Sequence, residues 1–135
     1  MSGERYPVLW IGQVAVVTLP AEIDVTNADP IREELLAVLN QGAVLLVADM
    51  SKTDFCDSSG VSSLVRVFRH AATSATALRL VVTTPAVLRV LSITGVDRLV
   101  DIYPSVAASL AGPSGQANPA WPDGATAKAD TDGGA

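Results

Sequence analysis

Cysteine is almost missing from this chain: Cys56 stands alone among 135 residues. A single thiol excludes an intramolecular disulfide and a cysteine-based zinc cluster, so stability has to come from packing. Histidine is as scarce, with His70 the one example. No apolar run approaches the roughly 18 residues that a membrane span requires. Met1-Ser2-Gly3-Glu4-Arg5 also lacks the charged-then-apolar order of a secretion signal, so a soluble cytoplasmic protein without a membrane partner is expected. Basic residues number 9 against 14 acidic ones, for a net charge of −5, and they form no cluster. Neutralising phosphates supplies most nucleic-acid affinity, so this balance argues against a nucleic-acid ligand. What is abundant is apolar side chain, 49% of the residues, which suffices for the core of one domain.

The apolar residues fall into alternating strand and helix patterns. Val8 to Ile11 and Val14 to Leu19 are strand-like runs separated by Gly12-Gln13, a pair suited to a two-residue hairpin with glycine first. Thr26 and Asp29 have the spacing of a capping box ahead of an apolar stripe at Ile31, Leu35, Val38 and Leu39, which Gln41-Gly42 ends. Ala43 to Ala48 reads as a buried strand and Asp49 to Asp54 as a polar loop. Val61, Leu64, Val65, Phe68 and Ala72 recur at helical spacing, so a helix begins at Ser58 or Ser59. Leu78 to Val82 is a further strand, Thr84-Pro85 opens a helix that Thr94-Gly95 stops, and Leu99 to Ile102 and Ser105 to Leu110 supply a last strand and helix. This alternation predicts a small α/β domain with helices packed against a mixed sheet of four to five strands. The domain is expected over 1–111. From 112 to 135 the composition shifts to Gly, Pro, Ala and Asp with Trp121 as the one large apolar residue, which reads as a disordered tail.

Asp57-Ser58-Ser59-Gly60 sits where a loop turns into a helix behind a buried strand, and it concentrates the polar chemistry. A serine hydrolase is excluded by reach: His70 lies about 18 Å along the same helix from Ser58, and no G-x-S-x-G elbow is present. One glycine does not make a phosphate-binding loop. Asp54 and Asp57 without further ligands would hold a metal weakly at best, so no metal site is expected. Two readings of the tetrad remain. Asp57 or Ser58 caps the helix, or Ser58 accepts a phosphoryl group, whose charge of about −1.5 to −2 the helix N-terminus tolerates while Asp57 and Asp24 oppose it.

The same residues resemble the STAS domains, and specifically the anti-sigma factor antagonists of bacterial partner-switching systems. Asp49-Met50-Ser51 followed by Phe55-Cys56-Asp57-Ser58-Ser59-Gly60-Val61 is similar to the family's strand, loop and phosphorylation motif. Ala21-Glu22-Ile23-Asp24 resembles its Gly-Glu-Leu-Asp segment, and Thr84 to Leu91, Thr94-Gly95 and Ile102-Tyr103-Pro104-Ser105 resemble its C-terminal half. The resemblance implies that the chain is not an enzyme. Its unphosphorylated form would bind an anti-sigma factor serine kinase with a histidine-kinase-like ATPase fold and so free the sigma factor in a stress response. Phosphorylation of Ser58, with Ser59 as second choice, would abolish that binding, and a PP2C-type phosphatase would restore it. ATP and magnesium would belong to the kinase, leaving this chain without a cofactor. The implied partner-binding face comprises Asp24, Thr26, Asn27, Asp57, Ser58, Ser59, Gly60 and Ser62. The alternative is a STAS scaffold or a transport-system subunit without a phosphoswitch.

Four positions depart from the family pattern. Ala21 replaces a glycine, Ser62 and Ser63 bring extra hydroxyls, and Cys56 replaces an aliphatic residue. A partly exposed thiol at Cys56 would be a redox sensor, whereas a buried one is a small core hydrophobe.

Overall fold

The structure, a computed structural model, describes residues 6–112; the N-terminal segment and the tail expected over 112–135, beyond Gly112, lie outside the described residues. A five-stranded sheet forms the centre. Strands β1 (Val8–Ile11) and β2 (Val14–Thr18) form the expected hairpin, with Ile11 opposite Val14. Gly12 has φ +61° while Gln13 keeps a negative φ, so the turn takes its positive dihedral at the first central residue, where only glycine enters freely. β4 (Leu45–Met50), β6 (Ala77–Val82) and β7 (Asp101–Tyr103) continue the sheet in the order β1-β2-β4-β6-β7, all parallel except for the β1–β2 pair. The fold is α/β with a mixed sheet, as the alternation predicts. A separate two-stranded parallel ribbon, β3 (Glu22–Ile23) with β5 (Phe55–Cys56), was not foreseen in the sequence.

Three helices, α1 (Ala28–Asn40), α2 (Ser58–Thr73) and α3 (Pro85–Thr94), contribute to the main core on one face of the sheet. Ile31, Leu35 and Val38 of α1, Leu64, Val67 and Ala71 of α2, and Val87 and Leu91 of α3 join Ala15, Val17, Leu46, Ala48, Met50, Leu78 and Leu80 in it. Each fully buried aliphatic side chain contributes about 1.5–3 kcal/mol. Val16, Val47 and Val81 form a smaller cluster with Val106 at the start of α4 (Val106–Ala111). Arg79 of β6 is buried too: its Nη1 donates to Ser109 O at 2.6 Å, and the guanidinium lies 5.5 Å from the Tyr103 ring centroid. The sequence reading passed over that buried cation.

Four boundaries differ from expectation. The strand read as Ala43 to Ala48 runs from Leu45 to Met50, because Asp49 pairs with Thr18 and its carbonyl accepts Leu19 N–H at 2.9 Å. The Thr26–Asp29 capping box does not form. Asn27 is the N-cap residue of α1 and makes no side-chain cap bond, while Asp29 is paired with Arg32 at 2.8 Å. On α2 the buried stripe passes through Val67 and Ala71, and Ala72 is exposed. Past Gly95 (φ +85°) a 3₁₀ turn runs over Val96–Arg98, and Leu99 N–H and Val100 N–H both donate to Val96 O, so the strand read as Leu99 to Ile102 starts only at Asp101, as β7.

Candidate functional site

The β3–β5 ribbon builds the site. Asp54 N–H and Phe55 N–H both donate to Ala21 O, Ile23 pairs with Cys56, and Asp57 N–H donates to Ile23 O at 3.1 Å. Beneath it Thr53, fully buried, donates its hydroxyl to Pro20 O at 2.7 Å and accepts at its carbonyl from Thr84 Oγ1 at 2.9 Å. Two loops far apart in sequence, 24–27 and 57–60, are thereby held at the same end of the ribbon.

Asp57 caps α2 from an extended conformation, its Oδ1 accepting Ser59 N–H at 2.9 Å and Gly60 N–H at 3.1 Å. The capping duty falls on Asp57 and not on Ser58. Ser58 is the first helical residue, is exposed, and its hydroxyl makes no hydrogen bond among the described residues. Ser59 is half-buried and Ser62 exposed, while Ser63 is buried and donates to Ala28 O at 3.2 Å, which ties α2 to α1. Gly60 is required by space: a Cβ there would stand 2.7 Å from both Cys56 Sγ and Ile23 Cγ2. Glycine lets the start of α2 approach the ribbon.

The 24–27 loop is stiffened from within. Asp24 Oδ1 accepts from Thr26 Oγ1 at 2.5 Å and from Thr26 N–H at 2.9 Å, and these bonds hold its carboxyl below the ordinary carboxylate pKa. Asn27 braces the loop from the other side, its Nδ2 donating to Glu22 O at 2.8 Å and its Oδ1 accepting Asp24 N–H at 2.9 Å. Asp24, Thr26 and Asn27 thus form one hydrogen-bonded unit.

Cys56 is buried, the environment of a small core hydrophobe and not of the partly exposed thiol a redox sensor needs. Its side chain is 3% exposed, and burial, assisted by the Asp57 charge, pushes the thiol up to about 11, so it remains protonated at neutral pH. Two exposed apolar residues flank the site and were missed in the sequence: Val25, 74% exposed, in the loop, and Phe55, 50% exposed, on β5. The available signal was an apolar residue inside a polar loop.

Residues 8–109 match the STAS domain family. The anti-sigma-B factor antagonist of Bacillus subtilis (strain 168) is 30% identical over 86 residues, covering 64% of this chain and 78% of that protein. Among solved structures, an anti-sigma factor antagonist from Mycobacterium paratuberculosis is similar with a TM-score of 0.72 and 26% identity, over 78% of this chain and 90% of that one. An anti-sigma-factor antagonist (STAS) domain protein from Planctomyces limnophilus gives 0.68 and 25%, over 78% and 94%.

Proposed function

Because the chain belongs to the STAS domain family, we propose that it is an anti-sigma factor antagonist of the partner-switching type. In its unphosphorylated form it binds an anti-sigma factor serine kinase with a histidine-kinase-like ATPase fold, and the sigma factor is released. Phosphorylation of Ser58 ends that binding, and a PP2C-type phosphatase reverses it. The kinase brings the ATP and magnesium, and the antagonist, acting in the cytoplasm, catalyses nothing. The names of the relatives support the antagonist assignment.

The observation that carries the switch is the free hydroxyl of Ser58 on an exposed first helical turn whose cap is supplied by another residue. A group there is open to a kinase and dispensable to the fold. The binding face comprises Asp24, Thr26 and Asn27 with Asp57, Ser58, Ser59, Gly60 and Ser62, the last group starting α2. Gly60 and Asp57 position the backbone, and Ser58 carries the charge change. A phosphoryl dianion buried in an interface without a counter-charge costs several kcal/mol, and each 1.4 kcal/mol is tenfold in affinity.

The test is affinity capture from the cytosol of the source cell with wild-type, Ser58→Ala and Ser58→Glu baits, with identification by mass spectrometry. An ATPase of the anti-sigma kinase type captured by Ser58→Ala and lost with Ser58→Glu is the expected result. The same catch from all three baits overturns the switch.

A further inference from the structure

A second polar feature opens beside Ser58 and shares Ser59 and Ser62 with the proposed partner face. Between the starts of α1 and α2 lies a cleft of about 400 Å³, a volume within the range of small-molecule sites. Ser59 and Ser62 line it from α2, Arg32 from α1, and Val25 contributes the apolar rim. Arg66, also in the lining, stands one turn beyond Ser62, so its guanidinium and the Ser62 hydroxyl share a helix face.

Among the described residues Arg66 makes no ion pair and no side-chain hydrogen bond. Arg32 is held on the opposite wall by Asp29 at 2.8 Å and Glu33 at 3.4 Å, and the bond to Asp29 raises its already high pKa. Among the described residues Asp29 is the one acid in the lining, and its Oδ1 accepts from Arg32 Nη1 at 2.8 Å. Two guanidinium groups against one carboxylate, with the hydroxyls of Ser59 and Ser62, give the cleft an excess of donors and of positive charge. The Ser59 and Gly60 N–H groups are taken by Asp57, so an anion would be held by side chains and not by the helix end. The lining contains no aromatic ring on which a base could stack.

We propose that this cleft binds a phosphate group, free or as the ester of a small aliphatic molecule, through Arg32, Arg66 and the hydroxyls of Ser59 and Ser62. Guanidinium groups approaching from two helices match a tetrahedral oxyanion, and such charge-assisted bonds are the stronger kind. The test is an amide chemical-shift titration of the whole protein with inorganic phosphate and with O-phospho-L-serine, against sodium chloride at equal ionic strength. Saturable shifts at Ser59, Ser62 and Arg66 in both phosphate titrations are expected. Arg66→Ala should weaken binding about threefold, the scale of one exposed charge pair, whereas Arg69→Ala, an exposed arginine on the same helix and outside the lining, should not. Tighter binding of O-phospho-L-serine assigns the cleft to an ester, and tighter binding of phosphate to the free ion. Shifts that follow ionic strength alone, or equal titrations for the two variants, overturn the proposal. The titration contains no partner protein, so its failure is distinguishable from failure of the Ser58 switch.

Discussion

Replacing Gly60 by alanine sets two effects of opposite sign against each other. Alanine is a better helix former than glycine by about 1 kcal/mol, so at an open helical position the change would stabilise. At Gly60 the new methyl would stand 2.7 Å from Cys56 Sγ and 2.7 Å from Ile23 Cγ2, a separation that real Cβ atoms do not show. Neither neighbour is free to retreat. Cys56 is 3% and Ile23 1% exposed, both are paired in the ribbon, and Cγ2 is the rigid branch of a β-branched side chain. Overpacking costs about 1–3 kcal/mol, and two clashes at 2.7 Å with fixed neighbours put Gly60→Ala in the upper part of that range, about 2–3 kcal/mol, so the balance is a net loss of about 1–2 kcal/mol, equivalent to a fall in Tm of about 5–10 °C for a domain of this size. Urea unfolding at neutral pH measures it directly. Combining Gly60→Ala with Cys56→Ala removes one of the two clashes, and a double-mutant cycle should return a favourable coupling between the sites. A Gly60→Ala protein as stable as wild type or more so would refute the close-approach argument and leave helix propensity in control.

Asp57→Ala should destabilise the domain by about 1 kcal/mol through loss of the α2 cap, whereas Ser58→Ala should lie within about 0.5 kcal/mol of wild type; the reverse ranking in thermal unfolding would move the cap to Ser58. Thr26→Val removes the hydroxyl that lowers the Asp24 pKa, so the Asp24 carboxyl should titrate closer to the ordinary carboxylate value in an NMR pH series. An unchanged midpoint would show that the backbone bond from Thr26 is sufficient. Since the Asp24 pKa is depressed on folding, its contribution is present above the unfolded value and is lost as pH falls. Cys56 behaves oppositely: the folded state holds the thiol proton more tightly than the unfolded chain, so stability should fall as pH rises from about 9 to about 11. Iodoacetamide should label Cys56 slowly in the native protein and quickly in urea; rapid native labelling would contradict its burial.

The sheet and its helices were legible in the sequence because their signals are local. Gly12-Gln13 between two apolar runs, Pro85 at a helix start and Gly95 past its end each announce an element within a few residues. The β3–β5 ribbon was not legible, since each strand has two residues and exists only through pairing across more than thirty positions. The Thr26–Asp29 spacing looked like a capping box, but Asp24 captured the Thr26 hydroxyl and Arg32 captured Asp29. Local pattern picked out a loop that the ribbon brings beside the tetrad, and the wrong bonds within it. Arg79 was passed over, and Ser63 was read only as an extra hydroxyl, for a similar reason: a polar residue on a buried face is satisfied by a carbonyl from another element, Ser109 for Arg79 and Ala28 for Ser63.

The tetrad divides its labour in a way that explains how a covalent change could alter binding while leaving the fold in place. Asp57 spends its carboxylate on the cap and Gly60 clears space for the ribbon, so the two residues on which the local structure depends are distinct from Ser58, the proposed acceptor. Among the described residues the Ser58 hydroxyl makes no bond that a phosphoryl group would break. The added charge meets the positive end of α2, worth about 0.3–1 kcal/mol, and the Asp57 carboxylate, which opposes it by a screened interaction at the surface. These two terms are small and opposite, so the folded state is left almost unchanged. A partner covering Ser58 removes the solvent that screens both, and the same charge then costs several kcal/mol. On the proposed function, the modification is therefore read by the partner and not by the domain, and its size should grow with the completeness with which the partner excludes water from the first turn of α2.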